Sequence, residues 1–246
     1  MTATALTALT ALPIAQLGED FFRERTDTGC VPENGTFCFD WAADNFDRYV
    51  NPALEHLMLV LVSVTLGFFV AFALALLSHR RRWLQPPILG ATGVLYTVPS
   101  IAFFFLLLPI TGRGADTAII ALTAYTLQII YRNIVAGLAN VPTDAKDSGR
   151  GMGMTDRQLL WRVELPLAVP EIIAGLRIAT VSTVALATLA VFAGGGGLGD
   201  PIYADLTFKT NVVIAGGLAI LMAIAFDALL VVAQRFVIPW RRARPV

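Results

Sequence analysis

The residues of this chain that can do chemistry are few, and they do not converge. Its only histidines, His56 and His79, stand outside any metal-ligand spacing. No Gly-x-Ser-x-Gly elbow is present to carry a nucleophile. No Gly-x4-Gly-Lys-Ser/Thr loop is present to cradle phosphates, so any ATP must be bound by another chain. Asp227 stands inside an apolar run. An ionised carboxylate is expensive there and marks either a proton or cation site or a structural partner, for which Arg132 and Gln128 are the expected mates. These residues argue against a membrane-embedded enzyme. They direct attention to the elements that hold charge in apolar surroundings.

Those elements follow from composition. Of 246 residues, 56% are hydrophobic and 15% charged, against about 25% charged in a soluble domain. The net charge is zero, so there is no global field to attract nucleic acid. Apolar runs near the 20 residues that cross a bilayer occur at 57–77, 88–110, 115–131, 172–193 and 212–233. They are too long for barrel strands, so the expected fold is an all-α membrane protein with five spanning helices. Pro99 and Pro109 interrupt the second run. Thirteen of the 18 lysines and arginines fall on one side of this arrangement. That side is read as cytoplasmic, with the N-terminus outside and the C-terminus inside. Residues 1–53 then form an external segment, 54–238 the membrane domain and 239–246 a basic cytoplasmic tail. Residues 1–16 read as a disordered or surface-lying start. Cys30 and Cys38, the only cysteines, share the external segment; a disulfide is chemically allowed there, and two free thiols are the alternative.

The longest loop, 140–171, falls on the cytoplasmic side. Pro142 suits a helix start, and Asp144 and Asp147 favour that end through the helix dipole. Gly149, Gly151 and Gly153 permit a sharp turn. Thr155 and Gln158 have capping-box spacing. Leu159, Leu160 and Val163 form an apolar stripe, and Pro166 and Pro170 are expected to stop the helix before the next span. A short amphipathic helix here suits docking on a soluble partner, with the stripe as candidate contacts. An ordinary connector is the plainer alternative.

Within this loop Asp147-Ser148-Gly149, then Gly153, then Val163-Glu164-Leu165-Pro166 resembles the coupling motif E-A-A-x3-G-x9-I-x-L-P of ABC importer permeases. The spacing matches throughout; the first triplet departs, and Gly149 weakens its helix by about 1 kcal/mol relative to Ala. Further words, Leu54-Glu55-His56-Leu57, Tyr96-Thr97-Val98-Pro99-Ser100, Ala174-Gly175-Leu176-Arg177 and Gly196-Gly197-Leu198-Gly199, stand in the order seen in osmoprotectant-importer permeases. The resemblance covers about residues 54–238. It implies a type I importer permease fold in a bacterial cell membrane. It also implies a second permease subunit, identical or paralogous, two cytoplasmic ATPase subunits that bind ATP and magnesium, and an external binding protein. The chain itself would need no cofactor and no metal. The implied substrate is glycine betaine, choline or carnitine; another small polar solute such as an amino acid is the alternative, and a secondary transporter a more distant one. Loop residues Asp147, Ser148, Gly149, Gly153, Leu165 and Pro166 would carry coupling, with Gly153 as hinge.

Inside the membrane the candidates for the pathway or its gate are Tyr96, Pro99, Ser100, Phe103, Gly196 and Gly197. Pro99 removes a backbone donor and kinks its helix, and Ser100 is expected to satisfy the freed groups. Aromatic faces at Tyr96 and Phe103 attract quaternary ammonium ions, although packing is the commoner use. Four glycines at 194–197 exceed what a plain turn needs. Gly216 and Gly217 point to close helix packing.

Overall fold

The computed structural model describes Asn34 and residues 37–238. The start over 1–16, Cys30 and the tail 239–246 lie outside the described residues. Cys38 itself is buried and disulfide-bonded.

The described chain is helical throughout. A short helix α1 (Phe39–Asp44) and a 3-10 turn lead into α2 (Val50–Arg80), which therefore begins before the expected boundary at 54. α3 (Gln85–Thr97) and α4 (Ser100–Thr111) follow, then α5 (Ala115–Ala139). The loop carries α6 (Thr143–Gly151) and α7 (Asp156–Leu159). A π turn over Leu160–Glu164 joins α7 to α8 (Leu165–Ala187), and a 3-10 turn extends α8 to Ala193. α9 (Gly199–Ala204) and α10 (Lys209–Val237) complete the fold. Among the described residues four continuous helices are long and apolar enough to span a membrane, and the bent pair of α3 and α4 together is apolar enough to be a fifth, broken span or a re-entrant loop.

Two proline expectations change in the structure. At Pro99 the second span does not merely kink; it bends by 100° between α3 and α4. Proline drives the preceding residue out of helical space, and Val98 is extended at φ −66°, ψ 128°. Its carbonyl is satisfied by Tyr125 from α5, whose hydroxyl donates at 2.6 Å, rather than by Ser100. Conversely, Pro166 and Pro170 do not stop the loop helix. The helical path runs from Asp156 to Ala193. Pro166 sits in the first turn of α8, where its missing donor matters least, directly after the π turn.

α2 and α8 both pack on α5, and α10 packs on the far side of α8. Helices in lipid gain little from hydrophobicity alone, so close approach through small residues is what binds them. A Cβ at Gly67 of α2 would overlap Thr126 of α5, and one at Gly175 of α8 would overlap Asn133 of α5. Ala118, Ala121, Ala187 and Ala190 are fully buried in the same core. Gly216 and Gly217 behave differently from expectation: a Cβ at either meets nothing of this chain. The N-terminal segment is tied to the start of α10, where Cys38 N–H donates to Thr210 at 2.9 Å and Tyr49 to Asn211 at 2.5 Å.

Candidate functional site

The motif residues gather at the two ends of α2, which is about 46 Å long at 1.5 Å per residue. At the loop end, Gly153 adopts φ +79°, a left-handed conformation that closes the turn between α6 and α7. The capping box forms as its spacing predicts: Gln158 N–H donates to Thr155 Oγ1 at 3.4 Å and Thr155 N–H to Gln158 Oε1 at 2.9 Å.

The apolar stripe is turned the other way from the docking role expected of it. Leu159 is 2% and Leu160 5% exposed, and Val163 is half-buried. Leu160 and Leu165 join a core with Ile130, Ile134 and Leu138 of α5. These side chains fasten the loop to the spans. Hydrocarbon contact with the bundle wins because it needs no second protein. The exposed face is instead polar, with Asp144, Asp147, Ser148, Arg157 and Arg162, plus Met152 at 71% and Trp161 at 50% exposure. The departure at Gly149 also has a physical account. A Cβ there would stand 2.6 Å from Leu159 Cδ1, so the missing side chain lets α6 close onto α7. Two polar contacts add to the seat: Lys146 Nζ donates to Leu138 O at 3.3 Å, and His79 Nε2 of α2 lies 2.8 Å from the buried Glu164 carboxylate.

At the opposite end the structure joins two sequence words that nothing in the sequence connects. Gly194, Gly196 and Gly197 take φ of +72°, +77° and +92°, so the four glycines do form a special backbone path. That path is clamped by one turn of α2. Glu55 Oε2 accepts from Gly197 N–H at 3.0 Å. His56 Nδ1 accepts from Leu198 N–H at 3.3 Å, so the proton is on Nε2, which donates to Val184 O of α8 at 3.0 Å. His56 is fully buried and satisfied at both nitrogens as a neutral ring. Side chains are excluded from the path: a Cβ on Gly196 would overlap Glu55, and one on Gly197 would stand 3.1 Å from His56 Nδ1. Asp200 follows directly. Burial, and then the charge of Glu55, push its carboxyl up from the ordinary range.

Between the ends stand the remaining candidates. Tyr96 and Phe103 flank Tyr125 edge-on, at 5.9 and 5.6 Å between ring centres. Phe103 is buried against the break and Tyr96 is half exposed, so only Tyr96 presents an open face. Tyr125 was not singled out by spacing. Asp227 does not pair with Arg132, which is exposed and has no ion pair among the described residues, nor with Gln128, which accepts from Thr92. Its partner is Arg177: Nε donates to Oδ1 at 2.8 Å and Nη2 to Oδ2 at 2.9 Å. The two helices thus carry a fork-shaped ion pair. Asp227 lies about 15 Å along α10 from its end at Val237. A lone charge at such depth costs about 3 kcal/mol, which pairing offsets. Among the described residues no group of three or more His, Cys, Asp or Glu is placed to hold a metal.

The chain is similar to known proteins. Residues 63–242 match the family described as the binding-protein-dependent transport system inner membrane component. The choline transport system permease protein OpuBB of Bacillus subtilis (strain 168) is 38% identical over 187 residues, covering 75% of this chain and 86% of that one. The carnitine transport permease protein OpuCB of Listeria monocytogenes is 41% identical over 163 residues, covering 66% and 75%. The osmoprotectant import permease protein OsmW of Salmonella typhimurium (strain LT2) is 37% identical over 194 residues, covering 76% and 90%. Among solved structures, an inward-facing MetNI methionine ABC transporter superposes with TM-score 0.65 at 23% identity, covering 74% of this chain and 94% of that one. An amino acid ABC transporter superposes with TM-score 0.70 at 18% identity, covering 82% and 99%. These two likenesses concern the fold, which is that of ABC importer permeases. A multi-pass helical bundle with a seated loop at one end and a clamped glycine path at the other is thus a member of the binding-protein-dependent inner-membrane permease family.

Proposed function

We propose that this chain is the permease subunit of an importer for osmoprotectants of the choline, glycine betaine and carnitine class. The observation that supports this most directly is the run of relatives named for these solutes, at 37–41% identity across most of both chains. The loop end faces the cytoplasm, in keeping with the arginines and lysine at 80–82, 132, 146, 150, 157 and 162. There the exposed face of 143–162 docks on a cytoplasmic ATPase, which binds ATP and magnesium; this chain does no catalysis. A second permease, identical or paralogous, completes the pathway, and an external binding protein delivers solute to the glycine end. Leu160 and Leu165, packed with Ile130, Ile134 and Leu138 of α5, pass ATPase motion into the spans while allowing the loop small sliding.

ATP-dependent uptake of labelled glycine betaine into proteoliposomes tests the reading. The vesicles contain this chain with its ATPase, binding protein and any paralogous permease. Uptake that choline or carnitine competes with is the expected result. No uptake, with ATP turnover still stimulated by a loaded binding protein, would move the substrate outside this class.

A further inference from the structure

The Arg177–Asp227 pair is unlike a simple lock between helices. A lock is covered on all sides, whereas these side chains are 33% and 36% exposed at mid-depth in the spans. Asp227 lines a groove of 830 Å³ between α8 and α10, which Arg177 adjoins through its pair with Asp227. Its walls are apolar, including Val181, Ala185, Ile220, Ala223 and Ile224. The pair also has unused bonding capacity. Arg177 spends Nε and Nη2 on Asp227, and Nη1 has no acceptor among the described residues. Each Asp227 oxygen accepts one hydrogen bond from Arg177 and keeps a further lone pair. Hydrocarbon can satisfy neither group, so this face has to meet something polar.

We propose that Arg177 and Asp227 form a substrate site in the pathway that takes a compact zwitterion. The guanidinium receives the substrate carboxylate through Nη1, and the Asp227 carboxylate faces the cationic head. The apolar walls of the groove accept the methyl groups that surround a quaternary nitrogen. Because the protein charges already neutralise each other, the site is neutral when empty and neutral when a zwitterion fills it. A pure cation uses only the Asp227 half. The proposal rests on the osmoprotectant reading and deepens it: the site favours substrates with both charges over those with one.

The test uses the complete importer in proteoliposomes with saturated binding protein, so that selectivity is read at the permease. Labelled glycine betaine, a zwitterion, and labelled choline, a cation, are compared. Arg177→Gln is expected to lower glycine betaine uptake about tenfold while choline uptake falls far less, a difference like that seen when one charged contact is lost. Asp227→Asn is expected to lower both. An equal fall for both solutes in Arg177→Gln, or no fall, would overturn the site and leave a structural lock. Should the single variants fail to assemble, the neutral pair Arg177→Gln/Asp227→Asn decides, since it leaves no orphan charge. Low uptake of both solutes with ATP turnover still stimulated supports the site; recovery to wild-type uptake rejects it. Wild-type vesicles that import neither solute would instead count against the osmoprotectant reading.

Discussion

The two ends of the bundle are held by opposite means. At the loop end the fastening is apolar: Leu160 and Leu165 are buried with Ile130, Ile134 and Leu138 of α5, Leu159 is buried beside Gly149 of α6, and polar contacts are secondary. At the glycine end it is polar and directional: Glu55 and His56 of one helical turn bind the backbone of Gly197 and Leu198, with glycines where side chains would collide. Apolar packing tolerates small sliding, because its energy depends on area and not on angle. Hydrogen bonds to backbone N–H groups weaken steeply with misalignment. A loop that must follow a moving partner suits the first kind of joint, and a chain segment that must keep one shape suits the second.

That contrast breaks most visibly at the buried leucine that joins the loop to α5. Leu160→Ala opens a cavity under the loop and is expected to cost about 3 kcal/mol, read as a lowered Tm of the purified permease. A drop smaller than that of an exposed loop substitution such as Met152→Ser would show that the joint is not apolar. His56→Ala strips acceptor and donor from Leu198 N–H and Val184 O and is expected to cost about 2 kcal/mol. His56→Gln, which can reach only one of the two, should fall between. Gly153→Val forces a branched residue to φ +79°, at about 1–2 kcal/mol. No atom stands within 4 Å of a Cβ there, so the damage is to backbone shape alone. Uptake should fall while the bundle stays assembled, and intact uptake would deny the loop its coupling role.

The smallest effect sharpens the glycine end. The Asp200 carboxyl is raised above its ordinary value of 3.8, first by burial and then by Glu55. A raised acid favours its protonated form in the folded state. Its contribution is therefore fully present below the unfolded value and lost as pH rises through the folded one. Asp200→Asn, neutral at every pH, should raise Tm slightly at neutral pH. The advantage should shrink on acidification through the mildly acidic range. A pH-independent difference would show that neither burial nor Glu55 raises the Asp200 carboxyl.

The coupling motif was legible because it is local. Asp147 to Pro166 lie in one stretch, and the capping box at Thr155 and Gln158 is a matter of spacing. The direction of the stripe was not legible, since an amphipathic helix reads the same whether its apolar face meets a partner or its own spans. Pro99 announces a break, but the hydrogen bond that satisfies the bent backbone comes from Tyr125, which lies in another helix. Asp227 is conspicuous alone, but its partner is not legible: Arg132 of α5 and Arg177 of α8 are both basic residues beside apolar runs, and only packing separates them.

By itself the sequence determined the helical membrane class, the approximate spans, the capped loop that carries the motif and the family, because apolar length, glycine and proline punctuation and motif spacing act within one segment. Tertiary structure decided which residues from different segments meet: Glu55 and His56 with the glycine path, Arg177 with Asp227, Tyr125 with Val98. The reason is geometric. Spacing along the chain specifies a side chain's position on its own helix, but which neighbour that face meets depends on helix order and on the close approaches that Gly67 and Gly175 permit.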